Sequence, residues 1–128
     1  MNIYCLVEDS QLDHKFGAEH GVSFYIETDH HKVLFDVGQS SLFISNAIKF
    51  GIDLSLVDTL VISPGHYDHG GGLSTFMREN RSAMVYIRKQ AFERHLALRS
   101  SGRMDNIGLE LLFMQSGRMI WTSAQHTI

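Results

Sequence analysis

The chain has 128 residues, 44% of them hydrophobic, with fourteen acidic and eleven basic side chains for a formal charge of −3 and a single cysteine. That length suits one domain with a real core, spanning 1-128, and is short for two; the mild acidity without a run of Lys or Arg speaks against nucleic acid as a partner. One cysteine cannot build an internal disulfide framework, no apolar stretch reaches membrane-spanning length, and no basic region followed by an apolar one opens the chain, so no membrane partner is expected and the expected location is cytoplasmic.

Taken in order, residues 2–7 (NIYCLV), 22–27 (VSFYIE) and 32–37 (KVLFDV) are rich in β-branched and aromatic side chains and predict three strands. Cys5 lies inside the first and is expected as a buried structural thiol. The polar segment 8–21 is expected to loop out. Asp29-His30-His31 has hairpin-loop length, which makes the next two strands antiparallel and puts both histidines at a solvated tip. From Ser40 to Phe50, Leu42, Phe43, Ala47 and Ile48 mark one face of a helix that stops at Gly51. The run Thr59-Leu60-Val61-Ile62 is almost wholly apolar, the pattern of a strand covered on both faces, and points to a layered α/β arrangement. Beyond it, Leu73, Phe76 and Met77 form a helical stripe, 83–87 reads as a strand, Gln90 to Leu98 as a helix, 109–114 as a short helix and 118–122 as a last strand.

Between the strand at 59–62 and the helix at Leu73 stands VISPGHYDHGGGL. It delivers His66, Asp68 and His69 to one strand end, where a rigid sheet can hold nitrogen and carboxylate donors around a cation. A plainer reading is also open: a turn whose polar side chains cap the following helix, with Gly70, Gly71 and Gly72 serving backbone geometry.

The segment resembles the H-x-H-x-D-H motif of the metallo-β-lactamase fold superfamily, with Pro64 in place of the first histidine. Glu19-His20-Gly21-Val22-Ser23-Phe24 and Leu34-Phe35-Asp36-Val37-Gly38-Gln39 are similar to the subgroup that includes dihydropterin-ribofuranosylaminobenzene-phosphate synthase-like proteins. The resemblance covers roughly the first hundred residues. It implies an α/β fold, half of a metallo-β-lactamase-like αββα sandwich, with a mixed sheet carrying helices on one face. The chain has about half the usual length of the family, so the domain is expected to be truncated.

The resemblance also implies zinc as cofactor, with His66 at one metal position and Asp68 and His69 at the other. Zn²⁺ usually takes four ligands, so this set is incomplete. Asp68 would be the catalytic residue, positioning the nucleophile in hydrolysis of an ester, amide or phosphoester substrate. Asp36 resembles the aspartate that orients the site from beneath, and reads equally as a turn-capping carboxylate before Gly38. Glu19 and His20 are candidates to approach the pocket from the 8–21 loop. His14, His95 and His126 belong to no constellation.

Two function classes follow. One is a metal-dependent hydrolase-like protein, weak or inactive because its motif is incomplete; its small-molecule substrate is not identified by the residues. The other is a non-catalytic binding or assembly module, or one half of a split enzyme completed by a second chain. A homodimer completing the sandwich is the expected assembly, because sheet residues that are apolar on both faces need cover on both.

Overall fold

The computed structural model describes residues 1–10, 14–63, 67–88, 96–98, 104–106 and 119–122. In chain order these form β1 (Asn2–Val7), β2 (Ser23–Glu27), β3 (Lys32–Phe35), α1 (Leu42–Lys49), a 3₁₀ turn at Leu54–Leu56, β4 (Thr59–Ile62), α2 (Tyr67–Gly70), α3 (Leu73–Glu79), β5 (Met84–Arg88), β6 (Leu96–Leu98), β7 (Met104–Asn106) and β8 (Met119–Thr122). Six of the strands make a mixed sheet in the order β1-β2-β3-β4-β5-β8. Its first two junctions are antiparallel and the others parallel. The change of sense falls where the chain stops turning back through hairpins and begins to cross over through helices, α1 between β3 and β4, and α2 with α3 between β4 and β5.

Strand register sorts the side chains. Tyr25 stands opposite Leu34, Leu34 beside Leu60 and Leu60 beside Val85. This row is buried, together with Ile62 and Ile87 two residues further along, and it packs with Phe43 and Ala47 of α1 and Phe76 and Met77 of α3 into one core. Both helices therefore cover the same face. The opposite face carries Ile3, Ile26, Val33, Thr59 and Met84 in register across five strands. The fold is thus the expected mixed α/β sheet with helices on one side.

Gly51 ends α1 as the sequence suggests, at φ +75°, and Phe50 bonds back to Asn46 and Ala47. Two expectations are corrected. Cys5 is exposed, because pleat alternation aims it to the helix-free face while a bulge between Cys5 and Val7 lets both Leu6 and Val7 enter the core. Partial burial and, after it, the charge of Glu8 still push its thiol up from the ordinary value. The helix expected over Gln90 to Leu98 is overturned at its end: Leu96–Leu98 is a strand paired antiparallel with Met104–Asn106. Backbone pairing between these two strands prevails over a weak helical periodicity. Residues 90–95 and the helix expected at 109–114 lie outside the described residues. No helix among the described residues is long and apolar enough to cross a membrane.

Two buried asparagines tie loops to this frame. Asn46 of α1 donates to the carbonyls of Leu6 (2.7 Å) and Gly17 (3.0 Å) and accepts from the Gly17 N–H (3.0 Å), fastening the 14–21 loop to the helix. Asn80 donates to the carbonyls of Leu54, Ser55 and Val57 and accepts from the N–H groups of Ser82 and Ala83. Asn80→Leu would leave those carbonyls and amides without it inside the protein, where each lost partner costs on the order of 1–3 kcal/mol. Urea unfolding should show a loss of about 3 kcal/mol or more, whereas Arg81→Ala, at an exposed neighbouring position, should leave the midpoint unchanged.

Asp58 binds the strand starts together. Its carboxylate accepts from the Lys32 N–H (2.8 Å), the Thr59 hydroxyl (2.6 Å) and His31 (3.3 Å), and its backbone links to Lys32 and Met84. Desolvation pushes its acidity the other way, but these hydrogen bonds outweigh it and hold the carboxyl below its usual value. A lowered folded pKa contributes stability that is complete above the unfolded value of about 3.9 and disappears as pH falls through the folded one. The fall in melting temperature on acidification below about pH 4 should therefore be shallower in Asp58→Asn than in the native chain. Equal slopes would remove Asp58 from the acid response.

Candidate metal centre

The site is built where β3 and β4 end side by side. Val61 is the register partner of Phe35, so the residues that follow both strands leave the sheet at the same edge. Asp36 comes first. Its backbone turns at φ +56°, a left-handed conformation that aspartate tolerates better than most residues, while its N–H still bonds to the Val61 carbonyl at 2.9 Å. The turn carries its carboxylate inward to 1% exposure.

Three donors meet that carboxylate. The Ser63 N–H reaches Oδ1 at 2.7 Å, the Ser63 hydroxyl reaches Oδ2 at 2.6 Å, and His69 Nδ1 reaches Oδ2 at 2.8 Å. Ser63 Oγ also lies 3.3 Å from His69 Nδ1. A carboxylate in this position accepts, so Nδ1 is the donor nitrogen of His69 in this contact and Nε2 is the nitrogen left facing away from Asp36. The His69 side chain keeps 30% exposure, so the centre lies at the protein surface.

The loop after Asp36 holds His69 from the backbone as well. Val37 N–H donates to the His69 carbonyl at 2.8 Å, Gly38 bridges to Gly70, and Gly72 N–H donates to the Gly38 carbonyl at 3.2 Å. Gly72 is needed for the close approach, since a Cβ there would stand 2.6 Å from the carbonyl oxygens of Val37 and Ser40. The glycine run therefore lets two loops lie against each other.

Of the residues singled out in the sequence, Asp36 and His69 are in direct contact. His66 and the side chain of Asp68 lie outside the described residues, although the Asp68 backbone belongs to α2. Glu19 turns to the loop after Asp36, which forms a bracket around His69: Oε1 accepts from the Gln39 and Ser40 N–H groups at 3.2 and 3.3 Å, and Oε2 from the Ser40 hydroxyl at 2.5 Å. His20 stands on the outside, its Nδ1 3.3 Å from exposed Asp9. His31 pairs with Asp58 at the hairpin end. Among the described residues no group of three or more His, Cys, Asp or Glu could hold a metal ion. Ser63 was missed by sequence reasoning; its signal was a hydroxyl directly after a buried strand, level with a carboxylate that ends the neighbouring one.

The profile of the metallo-β-lactamase superfamily matches residues 16–112, a span that contains Glu19, Asp36, Ser63 and His69. The chain belongs to the metallo-β-lactamase superfamily. An uncharacterised protein of Methanocaldococcus jannaschii is 33% identical over 88 residues, 68% of this chain and 34% of the relative. The 7,8-dihydropterin-6-methyl-4-(beta-D-ribofuranosyl)-aminobenzene-5'-phosphate synthase of the same organism is 29% identical over 100 residues, 73% of this chain and 34% of that enzyme. Among solved structures, Tm1679, described as a metal-dependent hydrolase of the beta-lactamase superfamily, superposes with a TM-score of 0.59 at 40% identity, covering 72% of this chain and 32% of the other. The matched part of the chain thus spans about a third of these relatives. In this metallo-β-lactamase-like domain the bracket around His69 is built entirely from that matched part.

Asp36→Ala removes an acceptor shared by three hydrogen bonds and leaves alanine in a left-handed turn that suits it less. Chemical unfolding should show a loss of about 3 kcal/mol. The NMR resonance of the His69 Nδ1 proton should also lose the downfield position that a carboxylate acceptor gives. A variant with unchanged stability and an unchanged imidazole signal would show that Asp36 does not organise the centre.

Proposed function

We propose that the chain is a metal-dependent hydrolase-like domain with an incomplete metal centre, able to hold zinc weakly and to hydrolyse poorly or not at all. The observation that carries this reading is the Asp36–Ser63–His69 contact. It orients an imidazole for ligation at the end of β4, directly beside a motif in which Pro64 stands where a histidine ligand would be. The similarity to a solved structure described as a metal-dependent hydrolase supports the same class.

Zinc would be held by His66, Asp68 and His69, and when bound it would supply a Lewis acid for hydrolysis of an ester, amide or phosphoester. The residues of the chain have distinct parts. Asp36 keeps the Nδ1 proton on His69 and sets the ring plane. Ser63 pins Asp36 through both its N–H and its hydroxyl. Asp68 would orient the attacking nucleophile. Pro64 offers no donor side chain, so three protein ligands divided between two positions leave each short of a full shell. The substrate class is a small molecule bearing a hydrolysable acyl or phosphoryl bond.

Elemental analysis of the full chain purified without added metal, followed by zinc calorimetry, tests the proposal. Substoichiometric zinc is expected, with His69→Ala weakening it further and Pro64→His tightening it by about tenfold or more, since one imidazole donor is restored. Circular dichroism must show that both variants fold. Zinc affinity unchanged in both would refute the placement, and efficient zinc-dependent turnover of a phosphodiester or lactone by the native chain would refute the weak-hydrolase reading. A second reading, a non-catalytic assembly module, is favoured by the apolar face of the sheet opposite the helices.

A further inference from the structure

Glu19 enters from the 14–21 loop, is half-buried, and has both carboxylate oxygens engaged by the segment that follows Asp36. Oε1 accepts from two consecutive amides, those of Gln39 and Ser40, and Oε2 from the Ser40 hydroxyl. These three bonds aim the carboxylate at the loop. The Ser40 hydroxyl in turn accepts from the Leu42 N–H at 3.2 Å, at the entry to α1. Glu19 itself is fixed from behind, because its N–H donates to the Glu8 carbonyl at 3.2 Å, just past the end of β1. One residue so joins β1, the loop after β3 and the first turn of α1.

The same loop carries His69. Val37 N–H donates to the His69 carbonyl at 2.8 Å, Gly38 pairs with Gly70, and the Gly38 carbonyl accepts from the Gly72 N–H at 3.2 Å. Asp36 fixes the His69 ring, and the loop fixes the backbone that bears the ring. Both constraints are needed, because a side chain held only at its tip still shifts with its backbone. We infer that Glu19 is a positioning residue for His69, acting through residues 37–40 to set where the imidazole stands. The inference rests on the reading of His69 as a metal ligand. Little slack exists along this path: a Cβ at Gly38 would stand 2.8 Å from Glu19 Oε1, and one at Gly72 would stand 2.6 Å from the Ser40 carbonyl oxygen. A shift at Ser40 therefore reaches the glycine run directly.

The plainer alternative is a surface cap that contributes local stability alone. Ser40 is exposed, so water can satisfy its donors when Glu19 is removed, and the cost to overall stability is small. Water is not anchored to β1, however, so the loop loses its fixed distance from the sheet. Asp58 supplies the matched case. Its carboxylate also accepts from a backbone N–H and a hydroxyl, but it does so at the strand starts, the opposite end of the sheet from His69.

Hydrogen exchange followed by NMR on the full chain without metal tests this, since it does not depend on zinc. In Glu19→Ala the Val37 amide and the His69 Nδ1 proton should exchange about tenfold faster, while the Asp36 amide, bonded to Val61, keeps its native rate. Glu19→Gln keeps an oxygen acceptor and should recover most of the protection, and Ser40→Ala should fall between the native chain and Glu19→Ala. Asp58→Asn should change neither rate. In zinc calorimetry Glu19→Ala should weaken binding about tenfold, the low end of what outer partners of a ligand contribute. Unchanged Val37 and His69 exchange in Glu19→Ala, no recovery in Glu19→Gln, equal acceleration in Asp58→Asn, or native-strength zinc binding by Glu19→Ala would each overturn the inference. A native chain that binds no zinc at all refutes the proposed metal centre instead, and the exchange rates then decide the part of Glu19 by themselves.

Discussion

The centre of this structure depends on a single buried carboxylate. Asp36 sits at the first turn out of β3 in a left-handed conformation, and from there it receives the backbone and hydroxyl of Ser63 and the imidazole of His69. Its own carbonyl accepts the buried Ser23 hydroxyl at 2.8 Å. One residue thus joins the start of β2, the ends of β3 and β4, and α2. A left-handed non-glycine residue costs on the order of 1 kcal/mol or more and persists only where its surroundings hold it. Here the hydrogen bonds do so, and the strained turn aims the carboxylate at Ser63 and His69.

Around that contact the loops are arranged so that few torsions are left to chance. The 36–40 segment bonds to Val22 on one side and to His69 and Gly72 on the other, and Glu19 fixes its outer end at Gln39 and Ser40. Gly38 takes φ +66° beneath Glu19, where a Cβ would stand 2.8 Å from its Oε1. The polar 14–21 loop, far from being a passive excursion, carries the clamp that holds the bracket, and Asn46 secures the loop in turn. The orientation of His69 therefore begins well outside the H-Y-D-H segment.

The two faces of the sheet differ in how they are covered. One is sealed by α1 and α3, and the core there holds the strands whose ends carry Asp36 and Ser63. The other carries Phe24, Ile26, Val33, Phe35 and Val61, each only partly covered.

Much of this was legible in the residues. Alternating or wholly apolar runs at 2–7, 22–27, 32–37 and 59–62 and the helical stripe ending at Gly51 determine local elements, because hydrophobic period and backbone sterics act over a few residues. The H-Y-D-H segment after a buried strand also marks the family. Other features were not legible. That Cys5 faces outward was decided by the β1–β2 register and a bulge, which a one-residue shift would reverse. That Leu96–Leu98 pairs as a strand was decided by a neighbour eight residues away, and the partners of Glu19, Asn46 and Asn80 by contacts spanning 20 to 40 residues. A side chain's chemical type is written in the sequence, but its direction and its partner depend on which distant segments fold against it, and only the tertiary structure brings Ser63 and His69 onto Asp36.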